Sequence, residues 1–241
     1  MKKYLAITFI FVALVGCSNN KLEKQITAEK KMEIAKEYIA KNKHHKAIPY
    51  LQQIAFERNS ALTAEAQMLL AESYFAQNKF TEARFEYQEL IRLFGDYNRI
   101  DEAYFKIGVC YYEESLKPQY TQEETEKAID AFQTFISKFP FSNYKSEAID
   151  YINKCNTKLL EKKFYNGYAY YKMFDYSAAL MYFDEIIELG NKNDVDKKSL
   201  YYAAKIYEKR KDEKNLEAIY TKLQSKYPES KETKKIAKYI K

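Results

Sequence analysis

Tryptophan is absent from the 241 residues, histidine occurs only as His44 and His45, and there are three cysteines. Two adjacent histidines with no cysteine or carboxylate at ligand spacing do not make a metal site, so no metal is expected. The chain also lacks a glycine-rich phosphate loop, a GxSxG elbow and a Ser-His-Asp set, so neither catalysis nor a cofactor is expected. No apolar run reaches the ~20 residues of a spanning helix. The excess of 40 basic over 34 acidic residues is small and evenly mixed, which argues against nucleic acid as a partner. Only 5 Gly and 4 Pro interrupt a chain rich in Lys, Glu, Ala, Leu and Ile, a composition that predicts an all-α fold. What is abundant is aromatic: 24 Tyr and 15 Phe, enough to be packing at regular intervals.

The N-terminus reads as an export signal. Lys2 and Lys3 are followed by an apolar stretch from Tyr4 to Val15, and Leu14-Val15-Gly16-Cys17 closes it with a thiol directly after a small residue. The closing tetrapeptide resembles the bacterial lipobox, which implies cleavage after residue 16 and lipid attachment at Cys17. Acyl chains contribute ~0.8 kcal/mol per buried methylene, so two or three of them hold a protein on a bilayer almost permanently. Ser18 is not the aspartate that retains lipoprotein in the inner membrane, so the resemblance implies the outer membrane.

A small residue, an aromatic three later and a second small residue twelve after the first recur along the chain. Ala35, Tyr38 and Ala47 form the first set; Ala71, Tyr74 and Ala83 the second; Gly108, Tyr111 and Ala128 the third, with 20 rather than 12 residues between the small positions. Gly167, Tyr170 and Ala179 form the fourth, and Ala204, Tyr207 and Leu216 the fifth. The spacing resembles the tetratricopeptide repeat: two antiparallel helices approach closely only where facing residues are small, and large residues a turn away fill the flanks. Asn42, Asn78 and Asp175 fall in the intra-repeat turns, and Pro140 and Pro228 end repeats three and five.

Two departures organise the array. Around Leu116 to Thr125 the third repeat holds extra residues, either a longer first helix or a protruding loop. From Tyr144 to Tyr171 neither Gly nor Pro intervenes except Gly167, which predicts one helix of roughly 30 residues shared by two halves. The expected organisation is a signal over residues 1–16, a lipidated tether over 17–27, repeats one to three over 28–141, and over 142–241 the shared helix, repeats four and five and a terminal cap. The fold expected is a solenoid of about five helix pairs.

The small-residue register also predicts the concave groove, at positions three before, one after and four after the small residue of each first helix. In the central repeats these are Met68, Glu72, Phe75, Phe105, Val109 and Tyr112, and further on Phe164, Tyr168, Tyr171, Tyr201 and Lys205. Aromatic walls of this kind suit an extended peptide with apolar side chains. Cys110 and Cys155 sit on apolar helix faces, so buried free thiols are favoured over the disulfide that an oxidising compartment would permit.

The run Lys158 to Tyr165, then Gly167-Tyr168-Ala169-Tyr170-Tyr171-Lys172, then Tyr176 to Phe183, together with Ala128 to Phe132 and Lys138-Phe139-Pro140 upstream, resembles the BamD family of β-barrel assembly lipoproteins. The resemblance implies a lipid-anchored protein on the periplasmic face of the outer membrane. It implies docking of the shared helix and last repeats, at Phe164, Tyr168, Tyr171, Tyr201 and Lys205, on the periplasmic domains of a BamA-type Omp85 barrel protein, alongside other assembly lipoproteins. It also implies binding of unfolded β-barrel substrates in the front groove. The alternatives are another periplasmic repeat lipoprotein of the Tol-Pal or cell-wall accessory kind, resembling the CpoB type, or a structural envelope scaffold.

Overall fold

The structure, a computed structural model, describes residues 26–57 and 61–240. Cys17, the signal segment and most of the tether lie outside the described residues. Among the described residues there are eleven α-helices and a closing 3-10 turn. They form five antiparallel hairpins: α1 (Ala28–Ala40) with α2 (His44–Glu57), α3 (Thr63–Phe75) with α4 (Phe80–Leu93), α5 (Ile100–Glu114) with α6 (Glu123–Lys138), α7 (Lys145–Lys172) with α8 (Tyr176–Glu188), and α9 (Asp194–Arg210) with α10 (Glu213–Lys226). Each hairpin packs on the next, and α11 (Lys231–Ile236) closes the stack against α9 and α10. This is an all-α tetratricopeptide solenoid.

The small residues do what their size allows. Ala35, Ala47, Ala71, Ala83, Ala128, Ala179 and Ala204 are wholly buried where first and second helices cross. At Gly108 the approach is closer still. A Cβ there would lie 2.6 Å from a ring carbon of Phe132, and one at Gly167 would lie 2.9 Å from both the Phe183 ring and the Tyr182 Cβ. Both are well inside the ~3.5–4.0 Å of carbon contact, so the second-helix ring itself occupies the space that a methyl would need.

Four of the five intra-repeat turns close identically. The residue seven after the first small position has positive φ: Asn42 (55°), Asn78 (58°), Phe174 (62°) and Lys211 (55°). The next N–H then reaches back to the carbonyl of the repeat tyrosine, from Lys43 to Tyr38 (2.8 Å), Lys79 to Tyr74 (3.0 Å), Asp175 to Tyr170 (3.1 Å) and Asp212 to Tyr207 (3.0 Å). This is the Schellman closure of a helix end. Asn42 and Asn78 fill it as expected, but in the fourth repeat the left-handed residue is Phe174. Asp175 caps α8 instead, its carboxylate accepting the Ala178 N–H at 3.1 Å. His44 and His45 begin α2, where His44 bridges Asn42 (3.1 Å) and Ser73 (3.4 Å) of the next hairpin.

The third repeat breaks the pattern. Its extra residues form a loop rather than more helix, with α6 starting at Glu123. The Gln122 amide gathers the loop by donating to the carbonyls of Lys117 (2.9 Å) and Tyr120 (3.1 Å). Lys158 and Lys162 of α7 hold it from outside, reaching Ser115 Oγ (2.6 Å) and the Gln119 carbonyl (3.0 Å). The 28 residues of α7 span about 42 Å at 1.5 Å per residue. Its first half buries Ala148 and Cys155 in the core of repeat three, and its second half gives Phe164 to the core of repeats four and five.

Candidate functional site

The first helices α3, α5 and α7 present one aromatic strip in the front half. Phe75, on α3, meets Phe80 edge-on with centroids 5.3 Å apart, and the Lys106 ammonium of α5 stands 5.0 Å from its ring. Tyr112, on α5, meets Tyr151 of α7 edge-on at 5.0 Å, beneath Lys158 at 5.2 Å. Lys154 lies 4.6 Å from the Tyr151 ring. The half-buried strip thus alternates rings with ammonium groups, and burial pushes the Tyr112 and Tyr151 hydroxyls above the usual phenol range. Both remain neutral donors, so the strip offers cations and hydroxyls to a carboxylate and flat faces to apolar side chains.

The register expected for this groove needs correction. Met68, Phe105 and Val109 are buried in the core and do not line a surface. The position three before the small residue is covered by the next first helix. Phe105 stacks under Tyr144, at the start of α7, at 4.9 Å and 13°, and Met68 packs among Ala83, Tyr87 and Ala103. Four after the small residue the same helices leave Phe75 and Tyr112 half open. Glu72 is at the surface but engaged, pairing with Arg99, which also holds Glu102 at 2.8 Å. Lys106, Tyr151, Lys154 and Lys158 were not singled out from sequence. The i, i+3, i+7 spacing of the last three on α7 was the available signal, masked by the apolar stripe beside it.

In the back half three of the five expected docking residues, Phe164, Tyr168 and Tyr201, line one cleft, and Tyr171 and Lys205 do not. A cleft of about 390 Å³ between α7, α9 and α11 is lined by Phe164, Tyr168, Tyr201 and Tyr202, with Lys198 and Lys235 at its margin. Phe164 forms its buried floor rather than an exposed contact, lying between Tyr168, stacked at 6.1 Å, and Phe183 at 5.8 Å. Tyr171 continues the ladder, 6.2 Å from Tyr168 and 5.0 Å from Tyr202. Burial first, then the neighbouring Tyr168, pushes the Tyr202 hydroxyl up to about 12. Lys205 lies outside the cleft, its ammonium 5.2 Å from the Tyr239 ring. Tyr202, Lys198 and Lys235 are the residues that the register missed here. Tyr202 is one position from the predicted Tyr201, and Lys235 comes from the cap helix, outside the repeat pattern.

Among the described residues no helix is long and apolar enough to cross a membrane. The tetratricopeptide repeat protein of Parabacteroides merdae is 18% identical and superposes with a TM-score of 0.39, covering 88% of this chain and 73% of that one. PilF of Pseudomonas aeruginosa is 16% identical, with a TM-score of 0.36 over 88% and 96% of the two chains. A thermophilic tetratricopeptide repeat protein of Thermus thermophilus is 12% identical, with a TM-score of 0.36 over 88% and 98%. It is the helical hairpins described above, rather than these distant superpositions, that define the repeat. Comparison with curated proteins gives no match. The sequence profile of the YfiO family, described as outer membrane lipoprotein, matches residues 24–223, a span that runs from just before α1 to the last turns of α10 and takes in both aromatic surfaces. With that match over most of its length, the chain belongs to the YfiO family of outer membrane lipoproteins.

Proposed function

We propose that this lipoprotein is a non-enzymatic scaffold and peptide receptor of outer-membrane β-barrel assembly, held through Cys17 on the periplasmic face. In this reading the cleft between α7, α9 and α11 seats the periplasmic domains of a BamA-type Omp85 barrel protein, and other assembly lipoproteins join the complex. The front strip receives unfolded barrel substrates. The observation that carries the substrate reading is the alternation of Phe75, Tyr112 and Tyr151 with Lys106, Lys154 and Lys158. A barrel strand ending in an aromatic residue offers a ring and a terminal carboxylate together, the pair of groups this strip complements.

Two measurements test it. Extraction of the tagged, lipidated protein in mild detergent should bring an Omp85-type barrel with it, and its absence under conditions that preserve native complexes counts against the docking assignment. A photo-crosslinkable peptide from a barrel C-terminus should label wild type, and Phe75→Glu with Tyr112→Glu should abolish labelling while the helical circular dichroism and Omp85 recovery persist. Undiminished labelling of the double variant would show the strip to be packing only.

A further inference from the structure

Three inter-repeat loops share a local register, Phe94-Gly95-Asp96, Phe139-Pro140-Phe141 and Tyr227-Pro228-Glu229. The third position is acidic in two of them. In the α6–α7 loop it is Phe141, whose ring is 97% exposed. The loop is built rather than loose: Ser142 Oγ donates to the Asp101 carboxylate at 2.6 Å, the Ser142 N–H to the Phe139 carbonyl at 3.1 Å, and the Lys145 N–H to the Ser142 carbonyl at 3.2 Å. Phe139 takes the inward packing, against Tyr104 at 5.2 Å and Phe135 at 6.0 Å. A large apolar ring is therefore fixed outward, in water, by a turn that has already satisfied its own core contact.

Its position in the topology supplies the occupant. Antiparallel helices alternate ends, so the start of α1 and the α2–α3, α4–α5 and α6–α7 loops lie along one edge of the front half. The last turn of α2 reaches the same edge and carries Phe56, 86% exposed, and Ile26 precedes α1 there, also exposed. Cys17 is nine residues before Ile26, so at ~3.5 Å per residue a fully extended tether reaches about 30 Å. The inference rests on lipidation of Cys17, which keeps the start of α1, at one end of this edge, within that distance of the leaflet. The turns after α1, α3 and α5 stand a helix length further off. The α8–α9 loop is also displaced, because α8 with 13 residues returns along less than half of the 28-residue α7.

We propose that the loop edge of the front half, with Phe141 at its tip, rests on the phospholipid leaflet that holds the lipid anchor. The ring enters the interfacial layer, and the ammonium groups of Lys138 and Lys145, on either side of it, lie against phosphates. Among the described residues neither lysine forms an ion pair: the Lys138 ammonium stands 5.6 Å from the Tyr104 ring, from which it can turn to a phosphate, and the Asp101 carboxylate in the same loop accepts from Ser142. A ring flanked by long cations is the usual composition of a side-chain anchor at a membrane surface.

The absence of tryptophan makes the test direct. The full-length lipidated protein, as Phe141→Trp or Phe174→Trp, is reconstituted into phosphatidylethanolamine and phosphatidylglycerol vesicles, with and without brominated acyl chains, and flotation scores attachment. The result expected is blue-shifted emission at position 141 that brominated lipid quenches strongly, with water-like, unquenched emission at 174 on the opposite edge. If the protein floats but position 141 is not quenched, or 174 is quenched as much, the proposed edge is wrong while the anchor reading stands. If the protein does not float, the anchor reading fails and this inference with it.

Discussion

Replacing Gly108 by alanine tests the tighter of the two glycine helix crossings. In a helix interior the exchange should by itself gain about 1 kcal/mol, because glycine has more backbone freedom to lose. Here the new methyl would meet three Phe132 ring carbons at 2.6, 2.7 and 2.9 Å. Phe132 is fully buried, stacked on Tyr151 at 5.1 Å and 13° and tilted against Phe105 at 5.8 Å, so its ring retreats only if α7 moves as well. Overpacking costs ~1–3 kcal/mol, and contacts this short against a ring that cannot move alone put it at ~2–3, so the net expectation is a loss of about 1–2 kcal/mol. For a chain of this size that lowers the melting temperature by roughly 2–8 °C in a circular dichroism scan. Phe132→Leu should be destabilising alone, yet the double variant should lose less than the sum, since leucine vacates the space that the methyl needs. A Gly108→Ala protein that melts at or above the wild-type temperature would refute the reasoning.

Three further outcomes follow from buried polar groups. Among the described residues the buried Tyr87 hydroxyl has no hydrogen-bond partner, so Tyr87→Phe should be neutral or more stable by up to about 1 kcal/mol in urea denaturation; a clear loss would mean that the hydroxyl is satisfied. Burial pushes the Cys110 and Cys155 thiols up to about 12 and about 11, so both should resist iodoacetamide at neutral pH until the chain unfolds. Their native pKa values lie above the unfolded ones, so the folded state holds more protons between about pH 9 and 11; stability should be unaffected by these groups below that window and fall as pH rises through it. Asp196, fully buried in the first turn of α9, accepts from Tyr227 Oη at 2.7 Å and pairs with Lys226 at 3.2 Å, tying the start of α9 to the end of α10. Removing the cation in Lys226→Met leaves that carboxylate without its counter-charge and should cost about 3 kcal/mol, which chemical denaturation would read.

Much of the fold was legible because it depends on size and period, which sequence displays directly. Alanine and glycine at the crossings, tyrosine three residues on and the unbroken run around Gly167 fix the hairpins and the long helix. The groove was legible only in part, because a helix face seen in sequence carries no information about what lies across it. Phe105 and Phe75 belong to the same predicted face, yet Tyr144 closes over one, while the other meets the Phe80 edge and the Lys106 side chain and stays half open. Two of the three cations of the front strip, Lys154 and Lys158, come from the first half of α7, whose apolar spacing reads as ordinary packing. Phe174 was hidden for a different reason: its left-handed turn is normally held by Asn or Gly, and local propensity points to the neighbouring Asp175.

The 28-residue helix that belongs to both halves has a mechanical meaning. Solenoids joined by loops can pivot, whereas here the two cores are threaded on one hydrogen-bonded rod, so turning one against the other means bending that rod. Whatever grips the cleft at Tyr168 and Tyr202 therefore also sets the compass bearing of the strip at Tyr112 and Tyr151, tens of ångströms away. A partner seated at one end aims the other as a hand on a tiller aims a rudder, with no need for a conformational signal to travel between them.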